Sequence, residues 1–518
     1  MKTRNFHPAV VLAILVLCGG LFFSSASPDA SAAEQPPAAS SAVGTGGSGP
    51  DETEEPGSDE DATEGDDLEE DTEEEEDSLL TYNGFIELQS FLNTYRDQDF
   101  GDAVKKNEIR NRLEARFGED DLHLFMASDQ YYQAVFWKED DEKDYRYTAE
   151  SDIKRNLRIT STDGEIAFNE LYLNYGRDSF RLRLGNQMFS WGTADGINPT
   201  AYFNPYDLRE FVFRDDDEFR FGVPAVSSML FLDDHTLELV FMPVHVSMQL
   251  APNDNFWSLR QDDILYRMVF EESDGMTVEP KNFGYGFRLS TNILESDVSV
   301  SAYHGPDREP ALVPTAVQVE TNRPVSVVIQ QQYSVVNYFG LDFSRTIGDF
   351  VVQCEAAYSP NKPNIVEQNV SFTDVRFPYE VEESPYVSYA LGFNYFIPLH
   401  RLLEEHEGES VFTFEWFQSK FFKKDVSQPY LFSDLLSFKY EDTFYNGRIP
   451  VAFTAIFDTR NGGRMYKPEI GWDFQNGITL ELAYAGISGQ EEPGELIQNS
   501  FYYYRDNDMV TFQLRYEY

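Results

Sequence analysis

Arginine recurs on a single phase of two short segments. In IRNRLEARF, Arg110, Arg112, Glu114 and Arg116 share one face while Ile109, Leu113, Ala115 and Phe117 occupy the other. FRLRLGNQM repeats the arrangement, setting Arg181, Arg183 and Gln187 against Phe180, Leu182, Leu184 and Met188, and FNELYLNY sets Glu170, Tyr172 and Asn174 against Leu171, Leu173 and Tyr175. Fixed guanidinium groups on one face of a sheet form an electrostatic surface that orients polar solutes and screens ions. Counter-charges follow in the segment Ser190–Gly222. It holds Trp191, Asp195, Asn198, Asn204 and Asp207, then the run RDDDEFR with Asp215 and Asp216. Its two Asn-Pro steps favour defined turns over free coil. A constriction is therefore expected, with loop acids facing Arg110, Arg112, Arg116, Arg181 and Arg183 across water. In the competing reading the arginines pair with Glu114 and Glu170 on neighbouring strands and the loop is a surface cover.

Reaction chemistry finds less support. His123, His235, His245, His304, His400 and His406 are scattered, and no HExxH, GxSxG or paired Cys/His spacing occurs. No catalytic residue, metal ligand or cofactor is assigned, and the chain is read as a non-enzyme. The acidic clusters Glu139–Asp144 and Asp215–Glu218 offer oxygen ligands but lack EF-hand spacing, so they read as solvated loop charge. Cys18 falls in an apolar leader, which leaves Cys354 without a partner. In VVQCEAAY it shares a phase with Val352, Ala356 and Tyr358, as a small apolar filler.

The elements that would carry such a surface are strands between two media. MVTFQLRYEY alternates Val510, Phe512, Leu514, Tyr516 and Tyr518 with Thr511, Gln513, Arg515 and Glu517. The same period runs through NGFIELQSFLN, HTLELVF, DVSVSAY, DFVVQCEAAY, YVSYALGFNYF, VFTFEWF and ITLELAYA. An arginine on a lipid face costs roughly 2–4 kcal/mol near the midplane, so the charged phase, including Arg515, must line a lumen. Short polar turns are expected at Gly118–Asp121, Gly176–Ser179, Asp233–His235, Ile347–Asp349, Asn446–Arg448 and Gln475–Gly477. Long loops are expected near 138–162, 190–223, 246–281, 305–331, 360–383 and 488–505, and a short helix near 400–409 within one turn. The alternation predicts an all-β, transmembrane, up-and-down antiparallel barrel of about 18 strands, with 16 as the alternative, and an aqueous interior.

The remainder of the chain is different in character. Lys2 and Arg4 precede the apolar run Ala9–Phe23 and a set of small residues, the pattern of a signal peptide over 1–26, with cleavage as late as 33 as the alternative. Residues 34–80 are Pro/Ala/Ser/Gly-rich and then acidic. The run Asp51–Asp77 holds much of the net charge of -50 and has too little apolar surface to fold, so it is expected to be a disordered tether. The barrel is expected over 82–518. The acidic balance argues against nucleic-acid binding.

The segment GNQMFSWGTADGINPTAYFNPYDLREF, with Trp191, Gly192, Asp195, Asn198, Pro199, Asn204, Pro205 and Asp207, resembles a largely uncharacterised porin-like family of Gram-negative outer-membrane proteins. FRFGVPAVSSMLFLDDHTLELVFMPV and YRDNDMVTFQLRYEY extend that resemblance over most of residues 82–518. It implies an outer-membrane channel for passive diffusion of small hydrophilic solutes. The implied partners are outer-membrane lipid and lipopolysaccharide, the barrel-assembly machinery through the C-terminal strand, and the solutes themselves; the oligomeric state stays open. A non-channel surface structural or adhesive barrel is the alternative, and an outer-membrane hydrolase the third class.

Overall fold

The computed structural model describes residues 79–94, 103–133, 157–160, 164–211, 219–251, 253, 256–258, 266–271, 276–319, 325–366, 376–401, 403, 406, 408–423, 426–427, 433–490 and 500–518. The expected leader, nearly all of the expected tether and the acidic cluster Glu139–Asp144 lie outside these residues.

Eighteen strands form one closed sheet. In chain order they are β1 (Leu80–Asn93), β2 (Val104–Gly118), β3 (Leu122–Gln133), β4 (Gly164–Arg177), β5 (Phe180–Gln187), β6 (Val223–Leu232), β7 (His235–Met242), β8 (Gly284–Ile293) and β9 (Ser296–Pro306). The second half comprises β10 (Val335–Ile347), β11 (Phe350–Val366), β12 (Val381–Ile397), β13 (Ser410–Phe421), β14 (Asp434–Phe444), β15 (Ile449–Asp458), β16 (Arg464–Asp473), β17 (Ile478–Ser488) and β18 (Met509–Glu517). Each pairs antiparallel with its neighbours in sequence, and β18 closes on β1 through the register Phe85↔Glu517 to Asn93↔Met509. The backbone of Tyr518 extends the seam, exchanging hydrogen bonds with Gly84 at 3.0 and 3.2 Å. Closure leaves no free edge, so every strand ladder is satisfied within hydrocarbon.

The two faces follow the period-two pattern. Ile86, Leu88, Ile109, Leu124, Leu173, Leu184, Leu239, Leu341, Leu391, Ile470, Leu482 and Leu514 are exposed on the outer wall, while the intervening Glu87, Arg110, Glu238, Asp342, Glu355 and Glu415 are buried inside. The six expected turns all occur at one end. A seventh, at 294–295, joins β8 to β9, and in an eighth, over 398–409, the described residues hold a 3-10 turn at Leu399–Arg401 where a short helix was expected. Loops at the other end are mostly long. There a small sheet of Ala311–Gln318, Val325–Gln332 and Tyr266–Phe270 forms among the loops.

At the loop end part of the lumen is packed with apolar side chains. Inward positions Phe91, Phe417, Leu435, Met465, Ala485, Ile487 and Met509 pack with Phe211, Phe256, Trp257 and the short helix Ser500–Tyr503. Phe211 stacks on Tyr504 with ring centroids 4.0 Å apart. Loop residues thus supply an apolar filling where the wall offers an apolar lining, while ion pairs such as Lys106–Glu210 and Lys362–Asp307 occupy other inward positions near the same end.

Candidate functional site

The described residues of the third loop, 188–211 and 219–222, enter the lumen and cross it. Its two ends are stapled by Asn204. The amide of that residue donates to the carbonyls of Gln187 (3.1 Å) and Phe221 (2.7 Å), and its side-chain oxygen accepts the N–H of Phe189 at 2.8 Å. Beyond the staple, the indole of Trp191 donates to Glu238 on β7 at 2.8 Å. Glu355 on β11 then accepts the main-chain N–H groups of Thr193 (2.9 Å), Ala194 (3.1 Å) and Thr200 (2.5 Å), and the Thr200 hydroxyl at 2.8 Å. Glu415 on β13 takes those of Gly196 (3.0 Å) and Ile197 (3.1 Å). A carboxylate that accepts several N–H groups is a strong anchor, since hydrogen bonds to charged groups are the stronger class.

Two glycines make this approach possible. Gly192 has φ +105°, and a Cβ there would sit 2.5 Å from the Glu355 carboxylate; one at Gly196 would sit 2.7 Å from that of Glu415. The next residues reach β9 and β10. Tyr202 stacks between Tyr303 and Tyr338, at 5.6 and 5.1 Å, and meets the Ser301 hydroxyl at 3.3 Å. Arg308, just after β9, donates to the carbonyls of Ala201 and Asn198. The loop then returns toward β2 and β4. Glu210 pairs with Lys106 at 2.9 Å, and Arg209 bridges Glu165 and Asp207, both at 2.8 Å. Asp207–Leu208 also pairs with Gln249–Leu250 of the following loop.

The residues singled out in the sequence take separate places. Trp191, Asn198 and Asn204 hold the loop's shape and anchorage. Asp195 receives the Asn394 amide at 2.9 Å, and burial pushes its carboxyl above the usual range. Asp207 turns to Arg209 of its own loop. Neither meets Arg181 or Arg183, so the expected opposition of loop acids to these wall arginines is not formed by the described acids. Asp215 and Asp216 lie outside the described residues. The wall carboxylates instead grip the loop's amide groups, which need no charged side chain on the loop.

On the wall, Arg110 faces inward but is 2% exposed, sealed by Asp129 at 2.8 Å and by the Phe85 ring. Arg112 pairs with Glu114 at 3.0 Å, and Arg116 with Asp120 in the adjoining turn. Glu170 accepts the Met188 N–H at 3.1 Å. Gln187 is buried beneath the loop's feet, accepting from Ser227 at 2.6 Å and donating to Ala225 at 2.9 Å, so it braces the wall. Arg515 pairs with Glu87 at 2.7 Å. Arg181 and Arg183 lie over the rings of Phe231 and Tyr172, at 5.6 and 4.9 Å.

Sequence reasoning missed Glu238, Glu355, Glu415, Lys106 and Arg308. The first three were visible as charged residues on the inward phase of HTLELVF, DFVVQCEAAY and VFTFEWF. No local signal shows that a loop over a hundred residues away would dock on two of them.

The fold and the site together define a transmembrane β-barrel whose lumen is narrowed by its third loop. Residues 89–518 match the model of the family described as "Protein of unknown function (DUF1302)", and the chain belongs to that family. No curated protein matches the sequence. Among solved structures, the chain is similar to OccAB3 of Acinetobacter baumannii, with 9% identity, 85% of this chain and 99% of that one covered, and a TM-score of 0.46. OccAB1 of the same organism gives 7%, 85% and 95%, with a TM-score of 0.45. OccK2 of Pseudomonas aeruginosa in complex with glucuronate gives 8%, 85% and 96%, with a TM-score of 0.43.

Proposed function

We propose that the protein is an outer-membrane channel through which small hydrophilic solutes diffuse passively, with no chemical step. The observation that carries this reading is the third loop docked across a polar lumen by Glu355 and Glu415. A barrel that served only as a scaffold would need no buried carboxylates to hold a loop in its interior. Rings of charge and a loop-set aperture are how wide barrels discriminate among solutes.

The apolar filling at the loop end favours a second reading, a surface structural barrel that does not conduct. Single-channel recording in planar bilayers with the purified full chain separates the two. Discrete conductance steps support the channel. Their absence from a protein that migrates as a folded, heat-modifiable barrel supports the structural reading.

A further inference from the structure

We propose that Arg181 and Arg183 form a subsite for oxyanions, carboxylate or phosphate, in the turn-end half of the lumen; this deepens the channel reading above and rests on it. The argument begins with register. Most inward-facing arginines of the wall sit directly opposite an acid: Arg110 opposite Glu87, Arg112 opposite Asp129, Arg288 opposite Glu238 and Arg515 opposite Glu87. Arg183 sits between Asn174 and Ser227, and Arg181 between Gly176 and Met229. These cross-strand neighbours carry no charge. Among the described residues no acid forms an ion pair with either arginine, and Arg183 donates only a long hydrogen bond, 3.4 Å, to Asn174.

Their surroundings leave the donors usable. Phe231 and Tyr172 each cover one face of a guanidinium. A cation–π contact engages the charge without using an N–H donor, and a guanidinium can offer a fork of two hydrogen bonds that suits a carboxylate or a phosphate. Two residues apart on one strand, the groups stand roughly 7 Å from each other, close enough to pass an anion from one to the next. The facing charged groups are Arg112, Arg116 and His123 on β2 and β3, with Glu114, Glu170 and, on β7, Glu238 as the acids of this patch. Glu114 is committed to Arg112, and Glu170 to the Met188 N–H. Asp120 is likewise committed to Arg116, and Glu238 to the Trp191 indole, so Arg181 and Arg183 are the guanidinium groups of this patch without an ion-pair partner among the described residues.

The test uses the detergent-purified full chain and the R181Q/R183Q variant, with heat-modifiable migration as the control for folding. Binding of gluconate, inorganic phosphate and neutral glucose is measured by titration calorimetry, and reversal potential in a KCl gradient by planar bilayers. The wild-type chain should bind at least one of the two anions and not glucose. The double variant should lose at least tenfold in that affinity, and its reversal potential should move toward cation preference. Binding of gluconate alone assigns the subsite to carboxylates, and of phosphate alone to phosphate. A conservative R183K variant should keep the reversal potential but weaken anion binding several-fold, because charge persists while the fork is lost. Equal affinity in wild-type and double variant, or no anion binding by a conducting wild-type channel, overturns the subsite. Anion binding by a chain that never conducts overturns the channel and leaves the subsite standing.

Discussion

The carboxylate of Glu355 accepts the main-chain N–H of Thr200 at 2.5 Å, joining β11 to a loop that leaves the wall six strands away at β5. The same carboxylate holds Thr193 and Ala194, so one side chain fixes both arms of the turn around Asn198-Pro199. Each such bond to a charged acceptor contributes about 1.5–3 kcal/mol. In the E355A/E415A double variant the loop should leave its docked position. Single-channel conductance should rise, and trypsin should cut at Arg209 or Arg220 in folded protein. Conductance and cleavage both equal to the parent would mean that Trp191, Tyr202 and Arg308 suffice to hold the loop.

The barrel was legible in the sequence because lipid and water impose opposite demands on alternate residues, and 18 strands follow from counting that alternation. Turns were legible where Gly, Asn or Asp marks the bend, as at Asp233–His235. The turn at Leu294–Glu295 was not, since both residues adopt positive φ (53° and 61°) without the usual turn chemistry. The loop's length and Asn-Pro steps pointed to a constriction but left open whether it enters the lumen, and its anchors were not legible. Docking through backbone N–H groups leaves no trace in the loop's own side chains, so charge complementarity pointed to Arg181 and Arg183 as its counterparts. The apolar filling was hidden for a related reason. It joins inward positions such as Leu435 and Ile487 to residues of distant loops, and each segment alone is a few hydrophobic residues in a strand end or a loop.

His245 gives the loops a predicted acid sensitivity. It lies after β7, pairs with Thr277, packs on the Tyr333 ring at 4.4 Å, and its Nε2 is buried without a partner. Burial pushes its pKa down from 6.5 to about 4. Between these values the unfolded segment binds more protons than the folded one, so stability rises with pH across that window. The contribution is complete above pH 6.5 and is lost progressively as pH falls toward 4, by about 3 kcal/mol in all. Protection factors around residues 243–250, taken against the intrinsic exchange rate at each pH, should fall between pH 6.5 and 4.5, and H245F should remove that fall. An H245F profile superimposable on the parent's would place the sensitivity elsewhere.

Closure of the barrel depends on its last residue as well as its last strand. The Tyr518 ring lies over Gly84, and its hydroxyl reaches Asn111 at 3.1 Å and the Arg112 carbonyl at 3.2 Å, spanning β1 to touch β2. Phe512 is exposed on the outer wall of β18. Replacing both with serine should reduce the heat-modifiable barrel in outer-membrane fractions several-fold while export across the inner membrane continues. A normal yield of folded barrel would show that the hydrogen-bond register between β18 and β1 alone is sufficient.

The stacked pair Phe211 and Tyr504 decides whether the loop-end filling is a fixed plug. Phe211 is 1% exposed and ends the described arm of the third loop; Tyr504 follows the short helix before β18, and its hydroxyl donates to the Trp257 carbonyl at 3.1 Å. The pair therefore ties three loops into one apolar body. Truncating a buried phenylalanine to alanine costs about 3–5 kcal/mol. That is comparable to only one or two of the four hydrogen bonds Glu355 accepts, so the F211A/Y504A variant should loosen the filling while leaving the loop docked at its far end. If solutes pass through this half of the barrel, conductance should increase without the gain in tryptic cleavage expected of E355A/E415A. Unchanged conductance in a folded F211A/Y504A barrel would place the passage along the opposite wall, away from these loops.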